Sequence, residues 1–115
     1  MKRRFRPSPI LALACAAVMQ FSPGVLAANT ATEPVPRDPK WVARHEGFVA
    51  EAKAGGIDVL FLGDSITDAW RSRGRAVWDA KFAPLKAANF GISGDRTQHV
   101  LWRLRNGEAE GYQPK

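Results

Sequence analysis

The chain has 115 residues, which leaves room for one domain of ordinary size. Hydrophobic residues make up 45% and charged residues 24%, a balance that excludes a disordered or fibrous chain. The net charge of +6 would suit a nucleic acid partner, while the single cysteine excludes an intramolecular disulfide framework and a cysteine-rich zinc site.

The first 27 residues have the layout of a secretory signal peptide. Basic residues precede an apolar run from Ile10 to Met19, which is too short for a membrane span of about 20 residues. Small residues follow, and cleavage after Ala27 fits signal peptidase better than cleavage after Ala28. We therefore expect export by the Sec route to the periplasm or the cell exterior.

Two other export signals fit less well. Cys15 lies in a poor lipoprotein box, because Ala12 stands where a leucine is expected, so soluble export is favoured. Arg3 and Arg4 lack the spacer of a twin-arginine signal. Removing residues 1–27 takes away the cysteine and four basic residues, which leaves 13 basic and 11 acidic residues and a net charge of +2. We therefore expect no nucleic acid partner, and contact with a membrane only during export.

The mature chain begins with a linker and a helix. Residues 28–39 contain few apolar side chains and predict the linker, so that the folded portion spans residues 40–115. Asp38 can cap a helix whose first position is Pro39. Apolar residues and one histidine then recur at helical spacing up to two glycines: Trp41, His45, Phe48, Val49 and Ala52.

The next segment predicts a strand, a turn and two helices. The short apolar run at residues 57–62 predicts a strand covered on both faces, as in parallel α/β sheets. Residues 63–65 turn the chain into a helix start at residues 66–71. A second helix is predicted at residues 75–82, because Pro84 follows it.

A second strand and a final helix complete the pattern. Residues 87–90 predict the strand, and residues 91–94 predict a glycine-rich loop. Asp95 and Gln98 match a capping box, in which the Asp95 side chain accepts a backbone N–H and Gln98 reaches back to the start of the helix. Apolar spacing continues this helix to Leu104, and Asn106 and Gly107 close it. The order helix, strand, helix, strand, helix predicts an open, mostly parallel α/β sheet.

Ser65 is the strongest chemical feature. It follows the first strand at a helix N-terminus, and ligands bind at the carboxyl ends of strands in open α/β sheets. The positive end of a helix also favours a developing oxyanion. Thr67 excludes the Gly-x-Ser-x-Gly elbow, and the chain contains no glycine-rich phosphate loop. The simpler alternative is that Ser65 only caps the next helix.

The second strand-end loop weighs against that alternative. Residues 89–97 follow the second strand and enter a capped helix, and a glycine there can bring a bare N–H close to a ligand. A hydroxyl on one loop and a backbone donor on its neighbour make half of an acyl-transfer site.

These two loops resemble sequence blocks of a known family. Residues 63–67, Gly-Asp-Ser-Ile-Thr, look like block I of the GDSL, or SGNH, hydrolases, and residues 89–97 look like block II. The likeness covers residues 41–115 and implies a three-layer α/β/α flavodoxin-like fold with a parallel sheet. Further segments are similar to the branch that contains the catalytic subunits of platelet-activating-factor acetylhydrolase Ib and their bacterial relatives: residues 82–85, 89–91, 99–104 and 106–108.

The resemblance implies hydrolysis of small acyl esters through an acyl-enzyme on Ser65. The N–H of Ser65 and that of Gly94 would form the oxyanion hole, Asp64 would fix the turn as a hydrogen-bond acceptor, and Gly91 would shape the loop. No metal and no cofactor is implied. The substrate would be a small acylated carbohydrate or lipid, its acyl and leaving groups left open, and members of this branch can form homodimers.

Two further blocks of the family have no match in this sequence. They are the Gly-x-Asn block, which gives a third oxyanion donor, and the Asp-x-x-His block, which gives the base and its orienting carboxylate. We therefore expect residues 40–115 to be the N-terminal portion of the hydrolase domain, with His45 and His99 in structural contacts. The alternative is a non-catalytic exported binding protein that keeps the half-site and needs a partner chain to cover its sheet edge.

The other residues weighed for function receive structural interpretations. Trp70 could form a wall of the pocket near Ser65, while the remaining tryptophans are expected in the core. Asp68 and Asp79 are expected as solvated helix charges, and the basic residues within 71–75 as part of a solvated loop.

Overall fold

The structure is a computed structural model that describes residues 29–115. The predicted signal peptide, Cys15 and Ala28 lie outside the described residues. No helix within residues 29–115 is long and apolar enough to cross a membrane. The main elements in chain order are α1 Pro39–Ala54, β1 Val59–Gly63, α2 Ser65–Asp68, α3 Arg75–Val77, β2 Ala87–Gly91 and α4 Thr97–Arg103. Shorter 3-10 or π-helical turns lie at Thr30–Thr32, Ala69–Arg71, Trp78–Phe82, Ala83–Leu85 and Leu104–Glu108.

Helix α1 begins and ends as its sequence predicts. Asp38 accepts a hydrogen bond from the backbone N–H of Trp41 at 3.1 Å, and Pro39 occupies the first helical position. Gly55 ends the helix with a φ of 74°, a left-handed conformation that suits glycine. One face of α1 is buried, and its buried residues are Trp41, His45, Phe48 and Ala52.

The two strands form a parallel pair, which confirms the α/β class with an incomplete sheet. The register aligns Val59 with Ala87 and Gly63 with Gly91, so both strands end at the same edge. Every residue of β1 is half-buried, whereas four of the five residues of β2 are buried. Side chains pack against both faces of β1, as predicted, while β2 is its one partner strand within residues 29–115.

Aromatic side chains fill the space on both sides of the strands. On the α1 side, Phe90 stacks on Phe48 at 4.7 Å between ring centroids, and Trp102 packs on Trp41 at 5.3 Å. Ile57, Ala88 and Ile92 complete this core. A second aromatic cluster joins β1 to the segment between α2 and β2, and consists of Phe61, Trp70, Trp78 and Phe82.

The start of α4 differs from the predicted capping box. The residue that precedes the helix is Arg96, and its N–H donates to His99 Nδ1 at 2.9 Å. Asp95 cannot cap the helix because its buried carboxylate accepts hydrogen bonds from Trp41 and Arg37 instead. The predicted helix is therefore present, but the capping residues are shifted by one position.

Candidate active site

Ser65 is exposed at the carboxyl end of β1, as the first residue of α2. Asp64 caps this helix, because its Oδ1 accepts the N–H of Ile66 at 3.0 Å. The Ser65 hydroxyl takes part in no hydrogen bond among the described residues. The capping function that could have explained Ser65 is thus performed by Asp64, and the hydroxyl is available to a ligand.

The loop of residues 91–95, called here the 91–95 loop, lies beside the Ser65 turn. Gly94 is exposed and has a φ of 84°, so its backbone conformation is one that glycine tolerates. Neither the N–H of Gly94 nor that of Ser65 has an acceptor within residues 29–115. The backbone N–H groups of two exposed residues and one hydroxyl therefore lie at the same end of the sheet.

Gly91 allows α2 to pack directly against the end of β2. A Cβ on Gly91 would lie 2.7 Å from the carbonyl carbon of Thr67 and nearer still to the N atom of Asp68, distances that real Cβ atoms do not adopt. Since these are backbone atoms, they cannot move aside easily. Gly91 thus keeps the Ser65 helix against the 91–95 loop.

Asp68 joins the Ser65 helix to the 91–95 loop, so its interpretation as a solvated charge was wrong. Its Oδ2 accepts hydrogen bonds from the N–H of Ser93 at 3.1 Å and from the Ser93 hydroxyl at 2.8 Å. Arg44 pairs with both carboxylate oxygens and also donates to the carbonyl of Gly91 at 3.1 Å. Arg71 adds an ion-pair contact of 3.4 Å. Burial raises the pKa of Asp68, but the hydrogen bonds from Arg44 and Ser93 outweigh it and hold the pKa at about 2.

This depressed pKa predicts a loss of stability in acid. The carboxylate contributes fully above its ordinary pKa of 3.8, and the contribution is lost as the pH falls towards 2. The difference corresponds to about 2 kcal/mol for a side chain that is 14% exposed. Asp68→Asn should therefore remove this part of the pH dependence, measured as the free energy of unfolding in urea between about pH 5 and pH 2.

The control for this titration is Asp79→Asn. Asp79 pairs with Arg75 on an exposed helix surface, with 55% of its side chain exposed. Exposed pairs of this kind contribute little to stability. Between about pH 5 and pH 2, the free energy of unfolding of this variant should therefore fall as much as that of the unmodified protein. If Asp68→Asn lost as much unfolding free energy over this pH range as the unmodified protein, the assignment of the low pKa to Asp68 would be contradicted.

A second ionic cluster fixes the other end of the 91–95 loop. The carboxylate of Asp95 accepts hydrogen bonds from Trp41 Nε1 at 2.7 Å and from Arg37 at 3.0 Å. Arg103 Nε lies 3.0 Å from Asp95 Oδ2 without the alignment of a hydrogen bond. Arg37 also donates to the carbonyl of Ser93 at 3.0 Å. Gly94 is therefore flanked by two anchored residues.

Arg103 extends this cluster beneath both strand ends. It is fully buried and donates to the carbonyl of Phe90 at 2.7 Å and to the carboxylate of Glu108 at 2.9 Å. Its other Nη lies 3.4 Å from the carbonyl of Gly63. Burial raises the pKa of Glu108, although Arg103 and His45 favour the ionised form.

Neither histidine of the chain contacts Ser65. His45 is 4% exposed, and its Nδ1 lies 2.7 Å from Glu108 Oε1. His99 accepts the N–H of Arg96 at the start of α4. Burial lowers the pKa of His99. Both rings are engaged in contacts that hold the fold together.

Ser65 lines a cavity of about 310 Å³. Trp70 does not line it, so the prediction of Trp70 as a wall of this pocket was wrong: its ring packs on Phe82 and faces a separate cavity of about 300 Å³. No cluster of three or more metal-ligating side chains occurs in the part of the chain that the structure describes. The residues that line the Ser65 cavity are Ser65, Asp68, Ala69, Arg71, Ser72, Arg73 and Ser93.

Arg71 was expected in a solvated loop; 40% of its side chain is exposed, and the guanidinium also makes contacts within the fold. Its guanidinium donates to the carbonyl of Asn89 and lies 5.1 Å from the centre of the Phe48 ring. The pKa of Arg71 is lowered by burial and by the neighbouring Arg44. The basic segment therefore contributes one structural arginine as well as exposed ones.

Comparisons with known proteins identify acetylhydrolase subunits among the relatives of this chain. The chain is 46% identical over 85 residues to platelet-activating factor acetylhydrolase IB subunit alpha2 of Homo sapiens, a match that covers 74% of this chain and 36% of that protein. It is 45% identical over 92 residues to subunit alpha1 of Rattus norvegicus, which covers 76% of this chain and 39% of that protein. The chain thus spans little more than a third of the length of these relatives. No protein-family model matches the chain.

Proposed function

We propose that this chain, a homologue of GDSL/SGNH-type hydrolases over about three quarters of its length, carries the nucleophile and two oxyanion donors of an exported serine esterase. The proposal rests mainly on one observation. The Ser65 hydroxyl and the N–H groups of Ser65 and Gly94 are without partners in residues 29–115 and lie on adjoining loops at one end of the sheet. Such a set of groups suits acyl transfer.

In the proposed reaction, Ser65 Oγ attacks the carbonyl carbon of an ester. The carbonyl oxygen becomes negative in the tetrahedral intermediate, and the N–H groups of Ser65 and Gly94 donate to it. Collapse of the intermediate releases the alcohol and leaves an acyl-enzyme on Ser65, which water then hydrolyses. Asp64 keeps the nucleophile turn in place through its bond to the N–H of Ile66.

The base that takes the proton of Ser65 is proposed to come from another part of the full-length protein. Neither His45 nor His99 contacts Ser65. The N–H of Lys115 donates to the carbonyl of Asp58 at 2.9 Å, immediately before β1. The backbone at Lys115 therefore lies beside the start of β1. We further propose that the hydrolase domain begins near residue 40 and that other blocks of the full-length protein supply an Asn donor and an Asp/His pair.

A small acyl ester is the proposed substrate. The named relatives are acetylhydrolase subunits, and the cavity at Ser65, at about 310 Å³, is near the lower limit for ligand pockets. An acetyl ester of a carbohydrate or a lipid fits this description. Export by the N-terminal signal sequence and assembly into a homodimer belong to the same proposal.

Covalent labelling tests the nucleophile directly. The full-length protein is incubated with a fluorophosphonate, whose phosphorus is attacked by an activated serine with loss of fluoride, and the modified peptide is identified by mass spectrometry. We expect one phosphonylated residue, Ser65, and labelling that acetyl esters slow by competition. Absence of labelling, or labelling of another serine, would overturn the proposal and favour the non-catalytic alternative.

A further inference from the structure

The carboxylate of Asp68 links the helix that begins at Ser65 to the loop that contains Gly94. We propose that Asp68 is a positioning residue for the oxyanion hole: it holds Ser93, and through Ser93 the N–H of Gly94, at a fixed place relative to Ser65. This inference rests on the proposed function and adds a residue that the two sequence blocks do not assign.

The first step of the argument is the contact between Asp68 and Ser93. Asp68 lies on α2, three residues after Ser65, and accepts both the backbone N–H and the hydroxyl of Ser93 with Oδ2. Two hydrogen bonds to a single oxygen fix the position of the Ser93 backbone as well as its side chain. Ser93 directly precedes Gly94, so the same bonds limit where the N–H of Gly94 can lie.

The second step is the role of Arg44, on α1. Arg44 pairs with both oxygens of Asp68 and also donates to the carbonyl of Gly91 at 3.1 Å. It therefore orients the carboxylate and holds the start of the 91–95 loop at the same time. Asp68 is 14% exposed in this arrangement and Arg44 is 36% exposed, so the pair is only partly screened by water.

The third step is that Gly94 depends on its neighbours for its position. A glycine with a φ of 84° has no side chain of its own to anchor it. On its C-terminal side Asp95 is 7% exposed and held by Trp41 and Arg37. On its N-terminal side Arg37 holds the Ser93 carbonyl, and Asp68 holds the Ser93 N–H and hydroxyl. Removing the Asp68 carboxylate therefore weakens the hold on Ser93 and allows the N–H of Gly94 to move.

Oxyanion donors are sensitive to small displacements. They act when they lie about 2.7–3.1 Å from the developing oxyanion, and a misplacement of about 1 Å can lower the rate by as much as 100-fold. The donors bind the transition state more tightly than the ground state. A loosened loop should therefore reduce kcat and leave KM nearly unchanged.

The test compares variants of the full-length protein in the hydrolysis of p-nitrophenyl acetate. For Asp68→Asn we expect kcat to fall by about 10- to 100-fold with little change in KM. Affinity for a boronic acid, which forms a tetrahedral adduct on the serine, should fall by a similar factor. Asp79→Asn is the matched control, because Asp79 forms an exposed pair away from the site, and its kinetics should be unchanged.

A second variant distinguishes an effect on positioning from an effect on folding. Ser93→Ala removes only the hydroxyl bond to Asp68 and leaves the backbone bond in place, so we expect a smaller fall in kcat. In the double variant the two effects should be less than additive, because both act through one contact. Melting temperatures measured on the same samples separate a loss of stability from a loss of positioning.

Three results would overturn the inference. They are a kcat of Asp68→Asn equal to that of Asp79→Asn, effects of Asp68→Asn and Ser93→Ala that simply add, and a fall in kcat with full affinity for the boronic acid. Failure of the proposed function looks different, because the unmodified protein would then hydrolyse no ester and Ser65 would take up no fluorophosphonate.

Discussion

Replacing Arg103 with methionine is expected to lower the free energy of unfolding by about 3–5 kcal/mol. The guanidinium is fully buried and lies between the carboxylates of Asp95 and Glu108, both of which are also buried. Methionine fills part of the volume of the arginine side chain. It carries no charge, so the buried carboxylates of Asp95 and Glu108 both lose the cation that they share. The carbonyl of Phe90 loses its side-chain donor as well.

Urea unfolding of the full-length protein measures this loss as a lower midpoint at unchanged slope. Arg105→Met is the matched control, because Arg105 is exposed two residues along the same segment and has no ion pair in the described part of the chain. Combining Arg103→Met with Asp95→Asn and Glu108→Gln should recover part of the stability, since the unpaired charges are then removed. Equal midpoints for the Arg103 and Arg105 variants would contradict the role assigned to Arg103.

Local patterns in the sequence were sufficient to predict α1 and the two strands. The cap and first position of α1 depend on adjacent residues, Asp38 and Pro39, and the helix ends at a glycine whose conformation few other residues adopt. Both strands were predicted within one or two residues of their bounds, at Val59–Gly63 and Ala87–Gly91. Such features are local, because the responsible atoms lie within a few positions of each other along the chain.

The polar clusters at the strand ends could not be predicted in this way. Asp95 meets Trp41 across 54 residues, and Asp68 meets Ser93 across 25, so no local pattern identifies either partner. Competition between partners also changed the start of α4: Asp95 is suited to cap a helix, but its carboxylate is occupied by the core and Arg96 takes the capping position. One indication was available, since Asp68 lies one helical turn after Ser65 and therefore near the same end of the sheet.

The common location of the two candidate loops was predicted from their places at the strand ends. Placing Ser65 and Gly94 at one edge required only a parallel pair of strands, each followed by a loop, because parallel strands end on the same side. What holds the two loops together is the packing of α2 against Gly91 and the contacts of Asp68. These contacts join residues that are far apart in the sequence, so local sequence patterns do not identify them.

Replacing Ser65 with alanine is expected to lower kcat for p-nitrophenyl acetate by about 10⁴- to 10⁶-fold in the full-length protein. The change removes only the hydroxyl oxygen, which is the atom proposed to form the acyl-enzyme. Both proposed oxyanion donors are backbone N–H groups and remain present in the variant. KM should change little if acyl transfer is slow relative to dissociation of the ester.

The structure makes this variant easy to interpret, because the Ser65 hydroxyl has no hydrogen-bond partner among residues 29–115 and Asp64 caps the helix. The melting temperature should therefore stay the same. Ser72→Ala is the matched control: Ser72 lines the same cavity, and its hydroxyl makes only an exposed 3.4 Å bond to a carbonyl oxygen. Its kcat should stay within about twofold of the unmodified protein. Hydrolysis that persists in Ser65→Ala, after contaminating esterases are excluded, would show that another group is the nucleophile.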